Sequence, residues 1–165
     1  MNISLLEFSE TDLDFIYKGL SHPDVIKYYG FQCYNFDDAI IELDWYNKQV
    51  NEQLGHWWKI EVDNELVGAV GFNHFIKESG ELECGFWLLP EFWGRGIIKQ
   101  AFPMALKRVQ NELPVKTIVA SVESENIATL KLVKKLGFFE IKTVFNAEFK
   151  KGKPINLVNV ELPVW

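Results

Sequence analysis

Across Leu88–Lys99 the sequence reads LLPEFWGRGIIK, and a strand pattern gives way to a helix pattern over Gly94 and Gly96. The first N–H groups of a helix have no partner within it and favour an anion. Glycines let a phosphate approach the backbone closely. Arg95 and Lys99 add positive charge beside the turn. These residue types in this order suit a pyrophosphate, although the same glycines would serve a plain strand-to-helix connection. A dinucleotide-binding fingerprint needs a third glycine where this chain has Lys99. A Walker A loop needs Gly-Lys-Ser/Thr, which is absent.

Other chemistry is sparse. Cys33 and Cys84 are far apart and form no CxxC, so they make neither a disulfide framework nor a zinc site. His22, His56 and His74 have no metal-ligand spacing, and no metal is expected. No Gly-x-Ser-x-Gly elbow exists. Cys84 adjoins Glu83, but consecutive strand residues face opposite sides, so the two cannot act together and Cys84 reads as core.

The elements that must position these residues follow from composition and periodicity. The chain has 165 residues, 48% of them apolar and 24% charged, which fits one globular domain over 1–165. Its 15% aromatic content favours a filled core or an aromatic-lined site. Seventeen Lys and Arg against 23 Asp and Glu give a net charge of −6. With no basic run, the chain is ill suited to nucleic acid and better suited to a cationic small molecule or peptide. The N-terminus MNISLLEFSETDLDF lacks a basic segment followed by a long apolar one. No uncharged apolar stretch nears the roughly 18 residues of a spanning helix. A cytoplasmic protein without a membrane partner is expected.

Ile3 to Phe8 reads as a strand. Ser9 or Thr11 caps a helix carrying Leu13, Ile16, Tyr17 and Leu20. Ser21-His22-Pro23 opens a short helical piece with Tyr28 and Tyr29. Phe36 to about Asn51 is a helix with Ile40, Leu43, Tyr46 or Asn47 and Val50 on its inner face. Three strands then form an antiparallel meander ending at Leu89. A helix runs to about Asn111, and Pro103 within it predicts a kink. Lys116 to Val122 is a strand, Asn126 to Leu136 a helix stopped by Gly137, and Phe138–Phe149 and Ile155–Val164 two closing strands. The fold class is mixed α/β, a largely antiparallel twisted sheet of about seven strands with helices on both faces.

Three blocks resemble the GCN5-related N-acetyltransferases, in the branch of the ribosomal-protein alanine acetyltransferases. They are ECGFWLLPEFWGRG from Glu83 to Gly96, VASV from Val119 with NIAT from Asn126, and LVKKLGF from Leu132 to Phe138. The resemblance implies acetyl-CoA as donor and a primary amine as acceptor: a protein N-terminus, a polyamine or another small amine. It places the pantetheine along Phe86, Trp87, Leu88 and Leu89, and the pyrophosphate on Trp93, Gly94, Arg95, Gly96, Ile97 and Ile98. Asn126 and Thr129 would line the thioester end, and Thr129 could relay a proton to the thiolate. The family pattern usually ends this loop in Gly or Ala, so Ile98 fits only if its side chain turns into the core. Val133 stands where many relatives carry a proton-donating tyrosine. These departures keep alive a second reading, a catalytically weak acyl-CoA-binding module of the same fold.

Direct attack on a thioester needs a neutral amine. At pH 7 that costs a lysine-type amine about 4.6 kcal/mol and an α-amine about 1 kcal/mol. A base therefore matters for alkylamines, and by the resemblance Glu83 is its candidate. A backbone N–H near Leu88 would hold the charge developing on the oxygen. His74, near the substrate end of its strand, is a second candidate base. Tyr28, Tyr29, Tyr34 and Trp45 are aromatic candidates for the acceptor wall, since aromatic faces attract cations. A monomer or a homodimer fits equally.

Overall fold

The computed structural model describes residues 1–164. Strand β1 (Ile3–Glu7) leads through a 3-10 turn into helices α1 (Leu13–Leu20), α2 (Pro23–Ile26) and α3 (Phe36–Asn51). The meander follows as β2 (His56–Val62), β3 (Glu65–Ile76) and β4 (Glu81–Leu88). Then come α4 (Ile97–Glu112), β5 (Thr117–Glu123), α5 (Ile127–Lys135), β6 (Phe139–Lys150) and β7 (Lys153–Pro163). One seven-stranded sheet runs in the order β1-β2-β3-β4-β5-β7-β6. Only β4 and β5 pair in parallel; the other neighbours are antiparallel.

Strand alternation splits the core in two. Trp58, Ile60, Val70 and Phe72 point to one face and pack with Phe102, Ala105 and Val109 of α4. Trp57, Ala69 and Trp87 point to the other and pack with Ile16 and Leu20 of α1 and Leu43 and Tyr46 of α3. Each large side chain so buried contributes roughly 1.5–3 kcal/mol of transfer free energy.

Local signals explain most boundaries. Ser9 and Asp12 form a capping box on the first 3-10 turn, and Asn35 and Asp38 form another at α3. Two expectations change, the inner face of α3 and the place of Tyr28 and Tyr29. In α3 the inner face is Ala39, Glu42, Leu43, Tyr46 and Gln49, while Ile40 and Val50 are 40% and 42% exposed. The helix is rotated because Tyr46 stacks on Phe8 and Trp57, with ring centroids 4.7 and 5.2 Å apart. In α4 the helix runs on through Pro103, which sits on the exposed side, where water can reach the Lys99 carbonyl it leaves free. Tyr28 and Tyr29 lie just beyond α2 rather than on it.

Candidate active site

The centre of the sheet opens. β4 pairs with β5 only at Glu81, Leu82 and Glu83, opposite Thr117, Ile118 and Val119. Beyond that point β4 stays paired with β3 up to Leu88 but not with β5. The Leu89 N–H donates to Val67 on β3. By alternation, Cys84, Phe86 and Leu88 turn their backbone groups to the cleft. The Trp93 indole closes one of them, donating to the Leu88 carbonyl at 2.9 Å. The Leu88 N–H faces the same opening.

The glycine turn lies at the wide end of this cleft. Gly94 and Gly96 adopt φ of +72° and +74°, a left-handed conformation that penalises other residues. A Cβ on either would meet nothing within 4 Å, so the space before them is open. Gly96 is the N-cap of α4, with no side-chain cap and no acidic residue in the first turn. The positive end of a sixteen-residue helix is therefore uncompensated. Ile97 and Ile98 are buried at 1% and 4% exposure. Ile98 thus turns into the core and leaves only its backbone at the turn. Arg95 lies over the Phe92 ring, 5.2 Å from its centroid. A loop so built can take a phosphate.

Glu83 stands where the cleft begins. His74 Nδ1 is 2.7 Å from Glu83 Oε2, and Asn73 Nδ2 donates to the same oxygen at 3.2 Å. Asn73 is 6% exposed, and its Oδ1 accepts the Trp57 indole N–H at 3.2 Å. Trp57 lies over Gly71 and Gly85, where any Cβ would enter its ring. An irregularity in the β3–β4 register follows Asn73, with His74 at φ +56°. Its N–H is held by Gln49 Oε1 at 3.3 Å. The Glu83 side chain keeps 44% exposure, so the carboxylate is both supported and reachable.

Trp45 joins this cluster, its ring centroid 6.0 Å from both His74 and Trp57. Tyr29 packs into the α1–α3 core, and burial raises its hydroxyl well above the ordinary tyrosine range. Lys27 lies over Tyr28, 5.2 Å from the ring centroid. Tyr34 is 78% exposed. Trp87 and Leu89 are 3% and 2% exposed, and by the alternation above it is the backbone groups of Phe86 and Leu88 that face the cleft. Asn126 caps α5, its Oδ1 accepting the Thr129 N–H at 3.3 Å. It follows β5, whose last residue Glu123 stands on the order of 13 Å along the strand from the row of Glu83. The structure gathers Glu83, His74 and Trp45, while Asn126 and Thr129 meet each other at the start of α5. Asn73 and Gln49, the supports of the cluster, were not singled out in the sequence. Counting back through the Lys77–Gly80 turn from the Ile76–Glu81 pair puts His74 opposite Glu83; the irregularity after Asn73 makes Asn73 the partner instead, which no local signal announces.

An open edge in the middle of a sheet, ending at an anion-competent helix start, is the geometry of the acyl-CoA-dependent acyltransferases. Residues 2–139 match the acetyltransferase (GNAT) domain family, and the chain belongs to it. The donor is acetyl-CoA and the acceptor an amine. The chain is similar to the uncharacterized N-acetyltransferase YoaA of Bacillus subtilis, 25% identical over 153 residues, 91% of this chain and 86% of that protein. It is 24% identical to the spermidine N(1)-acetyltransferase of Escherichia coli over 163 residues, 96% of this chain and 84% of that protein. Two crystal structures share the fold. The Salmonella typhimurium acetyltransferase that modifies the N-terminal serine of ribosomal protein L7/L12 superposes with TM-score 0.89 at 15% identity, covering 100% of this chain and 96% of that one. The Vibrio cholerae spermidine N-acetyltransferase, in complex with CoA and spermine, gives 0.85 at 21% identity, covering 98% and 95%. No metal-binding group of side chains occurs among the described residues, and no helix there is long and apolar enough to cross a membrane.

Proposed function

We propose that this enzyme acetylates the primary amine of a small alkylamine, with Glu83 as the base and His74 and Asn73 holding it in place. The observation that carries this reading is the 2.7 Å His74–Glu83 contact at the point where β4 and β5 part. An alkylammonium costs about 4.6 kcal/mol to neutralise at pH 7, against about 1 for an α-amine. A carboxylate held by an imidazole and an amide is equipment for the harder proton.

Bound acetyl-CoA supplies an acyl carbonyl open to attack. Phe86 and Leu88 border its path, and the turn from Trp93 to Gly96, with the first N–H groups of α4, receives the pyrophosphate. Glu83 takes a proton from the incoming ammonium, directly or through one water. His74 steadies the carboxylate from the solvent side. The Leu88 N–H points into the cleft, where it can stabilise charge on the carbonyl oxygen. Val133 is 2% exposed in the core and offers no proton. A thiol of ordinary pKa near 8.5 leaves readily enough for water to protonate it. Asn126 and Thr129 belong on this reading to the mouth of the cleft. Trp45 borders the acceptor beside His74.

A catalytically weak binding module is not favoured. Ile98, which kept that reading alive, leaves the phosphate turn open, and Glu83 has a built support. The reading also places the enzyme in a reducing cytoplasm. Cys33 and Cys84 are free, and burial pushes their thiols up to about 11 and about 12, so neither is a ready nucleophile. The test is release of CoA thiol with a panel of amines. Release that depends on alkylamine is expected. Release confined to peptide α-amines, or independent of amine, contradicts it.

A further inference from the structure

One cross-strand row passes through the site and continues beyond it. Asn73 pairs with Glu83, Glu83 with Val119, Val119 with Glu161, and Glu161 with Phe139. Residues opposite one another in paired strands point to the same face. Glu83 and Glu161 therefore rise from one face with only Val119 between them. Two strand spacings put their Cα atoms on the order of 10 Å apart.

This face is open beyond Glu83. The buried cluster under α1 and α3 takes residues from β2, β3 and β4 and none from β5, β6 or β7. Glu161 is half-buried, and among the described residues no cation lies within ion-pair distance of it. Lys142 pairs with Asn159 in the next row on this face and makes no ion pair with Glu161. Phe139 flanks Glu161 on its outer side and is 48% exposed. A carboxylate without a partner, beside an exposed aromatic ring and across one valine from the base, is suited to a second positive charge.

We infer that Glu161 selects acceptors carrying a second ammonium group, so that the preferred substrates are α,ω-diamines and their longer homologues. The inference rests on the alkylamine reading above. Each charge-assisted contact spans about 2.8 Å, so a ligand bridging the two carboxylates has nitrogens roughly 5–8 Å apart. Chains of about three to five methylenes meet that span. The amine at Glu83 loses its proton and reacts; the one at Glu161 stays charged and sets the position. Glu161 is thus a specificity residue and takes no part in bond making.

The experiment compares kcat/KM for 1,4-diaminobutane and n-pentylamine, of similar length, in the wild type, Glu161→Gln and Glu161→Asp. The wild type should prefer the diamine by roughly 10- to 100-fold, the range of a hydrogen-bonded charge contact. In Glu161→Gln the ratio should fall to near 1, mainly through KM of the diamine, and Glu161→Asp should recover part of it. Acetyl-CoA binding by each variant verifies its fold. A purely structural Glu161 would lower both substrates together and leave the ratio unchanged, which overturns the inference. Equal use of the two amines by the wild type overturns it too, while leaving the alkylamine reading standing. Activity with peptide α-amines alone removes that reading and this inference with it.

Discussion

Glu42 is a carboxylate in the wrong solvent. It lies on the inner face of α3 at 4% exposure, and its Oε2 has no hydrogen-bond partner. Burial raises its pKa from 4.5 to about 7. The folded state therefore keeps a proton that the unfolded chain gives up between those two values. Stability is greatest below the unfolded value, falls as pH rises toward the folded one, and levels off above it. Carried from 4.5 to about 7, that proton costs the folded state about 3 kcal/mol of stability above pH 7. For a chain of this size that corresponds to about 6–12 °C in Tm. Glu42→Met replaces the carboxyl with an unbranched apolar chain of similar reach. Tm is measured for both proteins from pH 4.5 to 8.5. The curves should separate with rising pH and the variant should be the more stable above pH 7, other titrations cancelling in the difference. Parallel curves would show that Glu42 titrates as it does in the unfolded chain, and would refute the reasoning.

Gly96→Ala places a Cβ at φ +74° in the open space before α4; we expect a strain cost of about 1 kcal/mol and at least about tenfold weaker acetyl-CoA binding by calorimetry. Asn73→Ala leaves the buried Trp57 indole N–H unpaired and frees Glu83 on one side; stability should drop by about 1–3 kcal/mol in urea, with a lower kcat. His56 is 8% exposed and bridges Glu7 and Glu112 at 2.8 and 3.0 Å. His56→Leu removes the ring nitrogens that both carboxylates contact and puts an apolar side chain between them, and a lower Tm at pH 7 is expected by scanning calorimetry.

Much of the architecture was legible because its signals are local. The capping pairs Ser9–Asp12 and Asn35–Asp38, the Asp63-Asn64 turn and Gly137 after α5 mark boundaries through short-range chemistry. The phosphate turn was legible for the same reason, since two glycines, an arginine and a helix start lie within a few residues. Long-range placement was not. The rotation of α3 depends on Tyr46 meeting Phe8 and Trp57, which periodicity alone does not contain. Glu42 and Gln49 read as outward-facing polar residues until the sheet is seen beneath them. Nothing local announces that β7 inserts between β5 and β6, and that insertion is what puts Glu161 in the row of Glu83.

The most direct test of the central claim is amine-dependent release of CoA thiol by Glu83→Gln, beside its affinity for acetyl-CoA. A base at this position predicts kcat lower by about 10²–10⁴-fold with an alkylamine and donor affinity unchanged. Full activity in the variant, with the same pH profile as the wild type, would contradict the assignment of Glu83 and with it the chemistry argued for this cleft.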